Sequence, residues 1–334
     1  MEGISAGISQ IVILALVVFL GFVLAKLDFI DEHTSNKLVG LLINVTLPCM
    51  IIASTSSVEF SQIANQIPLV CGLGIVLFIF MALASIVACL LLRVSRDTVV
   101  CFIFSGICTQ TAFIGVPVIA AVLGESTVIL TSLIVAIINV FLFSVGIAML
   151  VVDQQLRETE SPDASGERKK FSFSDALSRV SLSWKNFINP ALVAAVLALL
   201  LLFFRIPLPY VLESAFDMVG SLTATISMLV IGFYVSRMRI KESLSQWRVF
   251  AFGFIRFFLG SVALFYALSF VIPDELIVSI AVLEFAMPTG AMVPAFIASH
   301  KGDAMLASEH TVISAVLSFV YLPCIIAIMA LFPL

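Results

Sequence analysis

The sequence predicts an all-α polytopic membrane protein with ten transmembrane helices, arranged as two inverted five-helix repeats. Of its 334 residues, 61% are hydrophobic and only 11% are charged, a composition that no soluble globular domain has. Ten apolar runs are each long enough to cross a bilayer. The basic residues sort to one side of these runs.

The ten predicted helices follow one another with a single hydrophilic interruption. They cover residues 5–26, 36–57, 65–92, 97–123, 126–152, 187–204, 209–236, 247–271, 275–299 and 304–332. Residues 153–186 are rich in serine and charge, which indicates a mobile linker. We therefore divide the chain into a first repeat at 1–152, the linker, and a second repeat at 187–334. Because five helices is an odd number, the second repeat must insert upside down relative to the first.

The basic residues predict the orientation. Fifteen of the 17 lysines and arginines lie in loops on one side of the predicted helices, six of them in the linker. Only Arg205 falls on the other side, and Arg256 lies inside a helix. The positive-inside rule then places the linker in the cytoplasm and both termini outside. Because no basic residue precedes the first apolar run, we interpret that run as a retained helix and not a cleaved signal peptide.

Two predicted helices contain residues that must break them. In predicted helix 4, Thr109, Gln110 and Thr111 precede a Gly115-x-Pro117 break, and predicted helix 9 contains Pro288-Thr289-Gly290 followed by Pro294. Proline removes a backbone donor and clashes with the preceding turn. An unwound stretch exposes amide groups at the start of the next half-helix, where the dipole favours an anion. The alternative is that the threonines bond to their own helix and the prolines only kink it.

The two breaks also support the repeat. Residues 113–126 can be aligned with residues 290–303, which places Pro117 opposite Pro294. If both broken helices cross at the midplane, their ends would form one site between the two halves of the chain.

Glu284 and Arg256 are the ionisable residues predicted to lie deepest. Each is about nine residues from a helix end, or about 13 Å deep at about 1.5 Å per residue, against a half-thickness of about 15 Å. Such residues suggest function by default. Arg256 could attract the carboxylate of an anion, and Glu284 could carry a coupling proton. Alternatively, the two form a structural ion pair, or Arg256 snorkels to the interface.

Two further polar groups lie in apolar segments. Asn44, Thr46 and Pro48 form a polar, kinked patch in predicted helix 2, which is either part of a binding site or a kink with a packing amide. Asn139 in predicted helix 5 either contacts a substrate or bonds across helices.

Several motifs are absent from the sequence. It has no Walker A motif, no HExxH and no GxSxG, so neither ATP-driven transport nor an enzyme is indicated. The six cysteines form no CxxC pair, which argues against a disulfide framework or a metal site. We expect no cofactor and no nucleic-acid partner.

Four motifs together resemble the auxin efflux carrier family, and are closer to its bacterial members than to the plant proteins. They are NVTLP (44–48), TQTAFIGVP (109–117), AMPTGAMVPAFIA (286–298) and SAVLSFVYLP (314–323). The resemblance implies crossed, broken helices 4 and 9 and elevator-type alternating access. Pro117 and Pro288 resemble the crossing prolines of the family, and Gln110 stands where the family usually has asparagine. Bacterial members are associated with malonate, malate and related acids.

The sequence thus predicts a secondary transporter for small organic anions in a bacterial inner membrane. Gln110, Thr111, Asn44 and Thr289 would receive the carboxylate. Coupling to a proton, to sodium or to no ion remains open, and a homodimer is possible. The alternatives are a sodium-coupled organic-anion symporter of the bile-acid type and a membrane sensor that binds an organic acid.

Overall fold

The computed structural model describes residue 13 and residues 16–57, 63–160, 190–236 and 246–332. The first part of predicted helix 1, most of the linker, and the basic residues at 237–241 lie outside these ranges. Within them the chain is helical, and no strand is present apart from one isolated bridge between two residues.

We number the helices in chain order, independently of the ten predicted ones. The first six are α1 (Leu16–Lys26), α2 (Glu32–Ser56), α3 (Ile67–Leu91), α4 (Val99–Ile107), α5 (Val116–Leu123) and α6 (Glu125–Arg157). The next six are α7 (Pro190–Phe203), α8 (Tyr210–Ser236), α9 (Trp247–Ser269), α10 (Glu275–Phe285), α11 (Val293–Ser299) and α12 (Ala304–Leu331).

Six helices in the described ranges are long and apolar enough to cross a membrane, namely α2, α3, α6, α8, α9 and α12. Each coincides with a predicted helix. Helices α1 and α7 are shorter, and the residues that precede them are not described. Predicted helix 4 is split into α4 and α5, and predicted helix 9 into α10 and α11. The all-helical class is therefore confirmed for the described residues, whereas the ten-helix inverted repeat stays a prediction.

The helix before the linker ends later than predicted. It continues past residue 152 to Arg157. Arg157 forms a salt bridge with Asp153 one turn earlier, at 2.9 Å, and donates to the carbonyl oxygen of Asp97, at 2.5 Å, in the loop before α4. These contacts hold a hydrophilic helical end that composition alone assigns to the linker.

Two of the prolines follow a widened turn of π-helix. Residues Leu42–Thr46 precede Pro48 within α2, and residues Thr111–Gly115 precede Pro117 at the start of α5. Because proline has no N–H, the carbonyl one turn earlier loses its partner, and a π turn is one way for the helix to absorb this. Two further π turns, Leu142–Gly146 in α6 and Phe254–Leu259 in α9, are followed by no proline, and the second contains Arg256.

Helix α10 lies at the centre of the main apolar core. Every residue from Ile277 to Phe285 is buried, as expected for a helix that is hydrophobic all round. Helices α3, α5, α6, α9 and α12 pack around it. The end of α10 therefore lies in the protein interior, and residues 286–290 of the break that follows it are buried as well.

Candidate functional site

The two broken helices cross as short antiparallel segments. The helical path is interrupted at residues 108–110 between α4 and α5, and at 286–292 between α10 and α11. Thr109 and Thr289 form the isolated antiparallel bridge. The N–H of Gln110 donates to Pro288 O at 2.8 Å, and the N–H of Gly290 donates to Cys108 O at 2.7 Å. Each unwound segment thus satisfies backbone groups of the other, which non-helical backbone inside a membrane requires.

Side chains from neighbouring helices hold this crossing. Gln110 Nε2 donates to Thr289 O at 3.1 Å, and Thr289 Oγ1 donates to Ser105 O in α4 at 2.9 Å. From α12, Ser314 Oγ accepts the N–H of Thr289 at 3.0 Å, and Thr311 Oγ1 donates to Gly290 O at 3.2 Å. Ser105, Ser314 and Thr311 were not predicted. For the last two, the sequence signal is the three-residue spacing of hydroxyl side chains along α12.

The positions of the breaks correct the sequence prediction in one respect. The first break lies at residues 108–110 and not at Gly115-x-Pro117. The sequence aligns Pro117 with Pro294, but Pro294 lies in the first turn of α11, where a missing N–H costs nothing, whereas Pro117 follows the π turn Thr111–Gly115. Pro288 lies in the crossing itself. Pro117 is therefore not a crossing proline, because it starts α5 instead of interrupting it.

A cavity of about 150 Å³ lies beside the crossing. It is bounded by α2, by both unwound segments and by α6. Its lining consists of Ile43, Leu47, Ile51, Cys108, Thr109, Gln110, Thr111, Ala112, Val116, Ser132, Val135, Ala136, Asn139, Leu142, Phe143, Gly290, Ala291 and Met292. A mostly apolar wall with a few polar groups is typical of small-molecule sites.

Polar atoms around this cavity lack partners. Thr109 Oγ1, Gln110 Oε1 and Ser132 Oγ are buried and form no hydrogen bond within the described part of the chain. Gln110 is only 3% exposed. Because buried polar groups in proteins are nearly always paired, unpaired ones around a cavity indicate a place for a ligand. Ser132 was not predicted, although it lies two turns before Asn139 on the same face of α6.

The predicted site residues separate into two groups. Thr109, Gln110, Thr111, Asn139 and Gly290 line the cavity, and Pro288 and Thr289 build the crossing beside it. Pro117 lines a different cavity, of about 200 Å³, with the end of α2 and with α8.

The patch in α2 does not reach the cavity with its polar side chains. Asn44 is exposed and donates to Gly40 O at 2.7 Å, and Thr46 donates to Leu42 O at 3.3 Å. Both therefore bond to their own helix, and Pro48 is not among the cavity residues. Their apolar neighbours Ile43 and Leu47 line the cavity instead.

Arg256 connects α4 and α10, the helices that precede the two breaks. Its Nε donates to Gly106 O at 3.0 Å and its Nη1 donates to Phe285 O at 3.2 Å, and the side chain is fully buried. Gly106 and Phe285 lie in the last turns of α4 and α10, where a cation complements the helix dipole. Arg256 does not line the cavity.

Glu284 is buried against the π turn before α5. Neither carboxyl oxygen has a hydrogen-bond partner among the described residues. A Cβ atom added at Gly115 would lie 2.6 Å from Glu284 Oε1, so the carboxyl group fills the space that this glycine leaves. Glu284 and Arg256 form no salt bridge, because Nε and Nη1 of Arg256 donate to carbonyl oxygens and neither carboxyl oxygen of Glu284 has a partner among the described residues. The predicted ion pair is therefore not formed.

The long apolar helices and the crossing of unwound segments, whose backbone groups are satisfied within the protein, are features of an integral membrane protein. A family model described as a membrane transport protein matches residues 6–326. The chain therefore belongs to this family, which is that of the auxin efflux carriers. Transport, and not catalysis, is the activity that the family's description names. A search of curated proteins found no match.

Proposed function

We propose that the protein is a secondary carrier of small organic anions that works by elevator-type alternating access. The observation that carries this proposal is the cavity at the crossing, where unpaired polar atoms surround an empty volume in a member of a transport family. Carriers commonly bind their substrates between discontinuous helices in this way.

The chemistry of the lining favours a carboxylate. The helical path that starts at Thr111 and continues through α5 begins at the cavity. Its first N–H groups have no acceptor further back in the helix, and they favour negative charge. The hydroxyls of Thr109 and Ser132 and the amide of Asn139 supply further donors. No acidic side chain lines the cavity, so nothing in the described lining repels an anion.

The size of the cavity favours a small substrate. An apolar cavity of roughly 150 Å³ in another protein holds benzene, and this cavity has about the same volume. Malonate and malate are small enough to fit this volume, whereas an auxin-like indole acid would require the cavity to widen. The apolar side chains Ile43, Leu47 and Val135 would contact the carbon chain between the acid groups.

The packing suggests which part of the protein moves. Helix α8 packs closely against α1 and α2: a Cβ atom at Gly21 would lie 2.4 Å from Leu229 O, and one at Gly220 would lie 2.7 Å from the Met50 Cα atom. Such backbone-to-backbone contact suits a rigid scaffold. In our proposal the crossing carries the substrate past this scaffold. The substrate is sealed against α2 by Ile43, Leu47 and Ile51.

The remaining parts of the proposal concern the membrane. We place the protein in a bacterial inner membrane with the linker in the cytoplasm and both termini outside, because the basic residues favour this orientation. A homodimer in the bilayer is part of the same proposal, with the exposed apolar side chains of the long helices facing lipid or a second copy.

Counterflow in proteoliposomes tests the carrier function. Vesicles containing the purified protein are loaded with unlabelled malonate or malate, and entry of trace labelled acid is followed without an ion gradient. We expect transient accumulation, and we expect Ser132→Ala to reduce it. The matched control is Ser144→Ala on the same helix, because Ser144 donates to Val140 O at 2.6 Å and does not line the cavity. If folded wild-type protein gave no counterflow with a panel of small carboxylates, the proposed function would be wrong, and retained binding would then favour a sensor.

A further inference from the structure

Glu284 is a buried acid that the substrate cavity does not use. Its side chain is fully buried at the end of α10, and neither carboxyl oxygen accepts a hydrogen bond from a described residue. An ionised carboxylate in such a place is strongly unfavourable unless it is paired. The arrangement seen here therefore fits the neutral acid, with its proton bound.

One element contacts both this acid and the cavity. Two residues of the π turn Thr111–Gly115, namely Thr111 and Ala112, line the cavity. Gly115, in the same turn, lies directly against the carboxyl group of Glu284. The turn is a single hydrogen-bonded unit, since the N–H groups of Ile114 and Gly115 both donate to Gln110 O, at 3.3 and 3.1 Å. A displacement of this turn that follows substrate binding must change the contact at Glu284.

The ionisable groups around α10 lie on the helices that pack against it. The turn Thr111–Gly115 and helix α5 carry none. The helices packed against α10 carry Cys71 and Cys89 on α3, Glu125, Asp153 and Arg157 near the ends of α6, Arg248, Arg256 and Tyr266 on α9, and Glu309, His310, Tyr321 and Cys324 on α12.

Among these groups, Arg256 contacts α10 at the residue after Glu284, through Phe285 O at 3.2 Å. Its Nη2 atom is buried without a partner in the described part of the chain. Arg256 is thus the positively charged group that contacts α10 next to Glu284 in sequence.

We infer that Glu284 is the proton-binding site that couples transport to the proton gradient, with the π turn Thr111–Gly115 as the coupling element. In one direction of the cycle the Glu284 carboxylate takes a proton from water on one side of the membrane and is sealed against Gly115. When the turn moves with the substrate, the acid meets water on the opposite side and releases that proton, which restores the carboxylate. One proton crosses for each completed cycle, and no other reactant is needed.

This inference rests on the proposed carrier function, so the test must separate the two. Wild type, Glu284→Gln and the matched control Glu275→Gln are reconstituted; Glu275 is exposed in the first turn of the same helix. Malonate counterflow at equal pH measures binding and reorientation alone. Accumulation driven by an imposed pH gradient, applied in both directions with the membrane potential clamped, measures coupling.

We expect wild type and Glu275→Gln to show both activities. Glu284→Gln should keep counterflow and lose all gradient-driven accumulation. The inference is overturned if Glu284→Gln still accumulates malonate in response to the gradient, or if wild type exchanges malonate but no pH gradient drives accumulation. Absence of counterflow in wild type would instead remove the proposed function, and this inference with it.

A second variant covers the case in which Glu284→Gln does not fold. Glu284→Asp keeps an acid but withdraws it from Gly115, so we expect gradient-driven uptake to persist with its pH dependence displaced from that of wild type. An identical pH dependence in the two proteins would overturn the inference.

Discussion

The side-chain amide of Gln110 donates a hydrogen bond to the carbonyl oxygen of Thr289, 3.1 Å away. The two residues belong to different broken helices, and the bond lies beside the cavity that Gln110 also lines. One side chain thus stabilises the crossing and forms part of the proposed substrate site, so that the geometry of the site depends on the crossing.

Replacement of Gln110 by alanine should impair transport. The change leaves Thr289 O without its side-chain donor, at a cost of about 1–3 kcal/mol for a buried group, and it removes an amide from the cavity. We expect malonate counterflow to fall about fivefold or more, as this cost implies. Gln66→Ala is the control. Gln66 Nε2 donates a hydrogen bond of 2.8 Å to Asp274 Oδ2, and Gln66 does not line the cavity. Equal counterflow in the two variants would contradict this role of Gln110.

Arg256 should matter for stability more than for substrate affinity. Arg256→Met leaves the carbonyl oxygens of Gly106 and Phe285 without their charged donor, and hydrogen bonds to charged groups contribute about 1.5–3 kcal/mol each. Arg256→Lys should be intermediate, because a single ammonium group does not reproduce the planar guanidinium. Thermal unfolding in detergent measures both variants, with the exposed Arg205→Met as the control. An Arg256→Met protein as stable as wild type would show that these contacts are dispensable.

The space at Gly115 provides a test of its contact with Glu284. Gly115→Ala places a methyl group 2.6 Å from Glu284 Oε1, and such overpacking typically costs about 1–3 kcal/mol. Gly40→Ala is the matched control on a helix, since nothing lies within 4 Å of its Cβ position. The double variant Gly115→Ala/Glu284→Ala should lose less stability than the sum of the two single variants, because the second change removes the clash. Strictly additive losses of stability would mean that the methyl group added at Gly115 does not touch the Glu284 side chain.

Filling the cavity should select against larger acids. Ala136 lines the cavity on α6, and Ala136→Leu would occupy much of its volume of about 150 Å³. We expect counterflow of malate to be lost before that of malonate, whereas Val145→Leu, at a position that is 53% exposed on the same helix, should change neither. If counterflow of both acids and the yield of folded protein fell together, the variant would be misfolded and not selective. Monodispersity must therefore be checked for each variant.

Much of the fold could be predicted because hydrophobic length is a strong signal. The six membrane-length helices coincide with predicted ones. The breaks were predicted from proline and glycine; the second lies where it was predicted, around Pro288-Thr289-Gly290, whereas the first does not. A proline shows that a helix cannot run through it unchanged, yet it can begin a helix as easily as end one. Pro117 and Pro294 do begin helices, and the first break lies upstream in Cys108–Gln110, where no proline stands.

The site was predicted in part for a similar reason. Thr109, Gln110 and Thr111 stand out as polar residues in an apolar run, and they line the cavity. A single serine such as Ser132 carries no comparable signal, since serine in a helix usually bonds to its own backbone. For Arg256 and Glu284 the sequence gives depth but not rotation about the helix axis. It therefore could not distinguish a salt bridge from the carbonyl contacts that Arg256 makes.

Protection of Cys108 tests most directly whether the cavity is the substrate site. Cys108 lines the cavity and is one of six free cysteines, so the other five can be replaced and the rate of its reaction with a small thiol reagent measured in proteoliposomes. A protein that retains only the exposed Cys324 serves as the control. We expect malonate or malate to slow modification of Cys108 and to leave that of Cys324 unchanged. If the single-cysteine protein shows malonate counterflow while the acid leaves the rate at Cys108 unaltered, the substrate binds elsewhere and the cavity is not the substrate site.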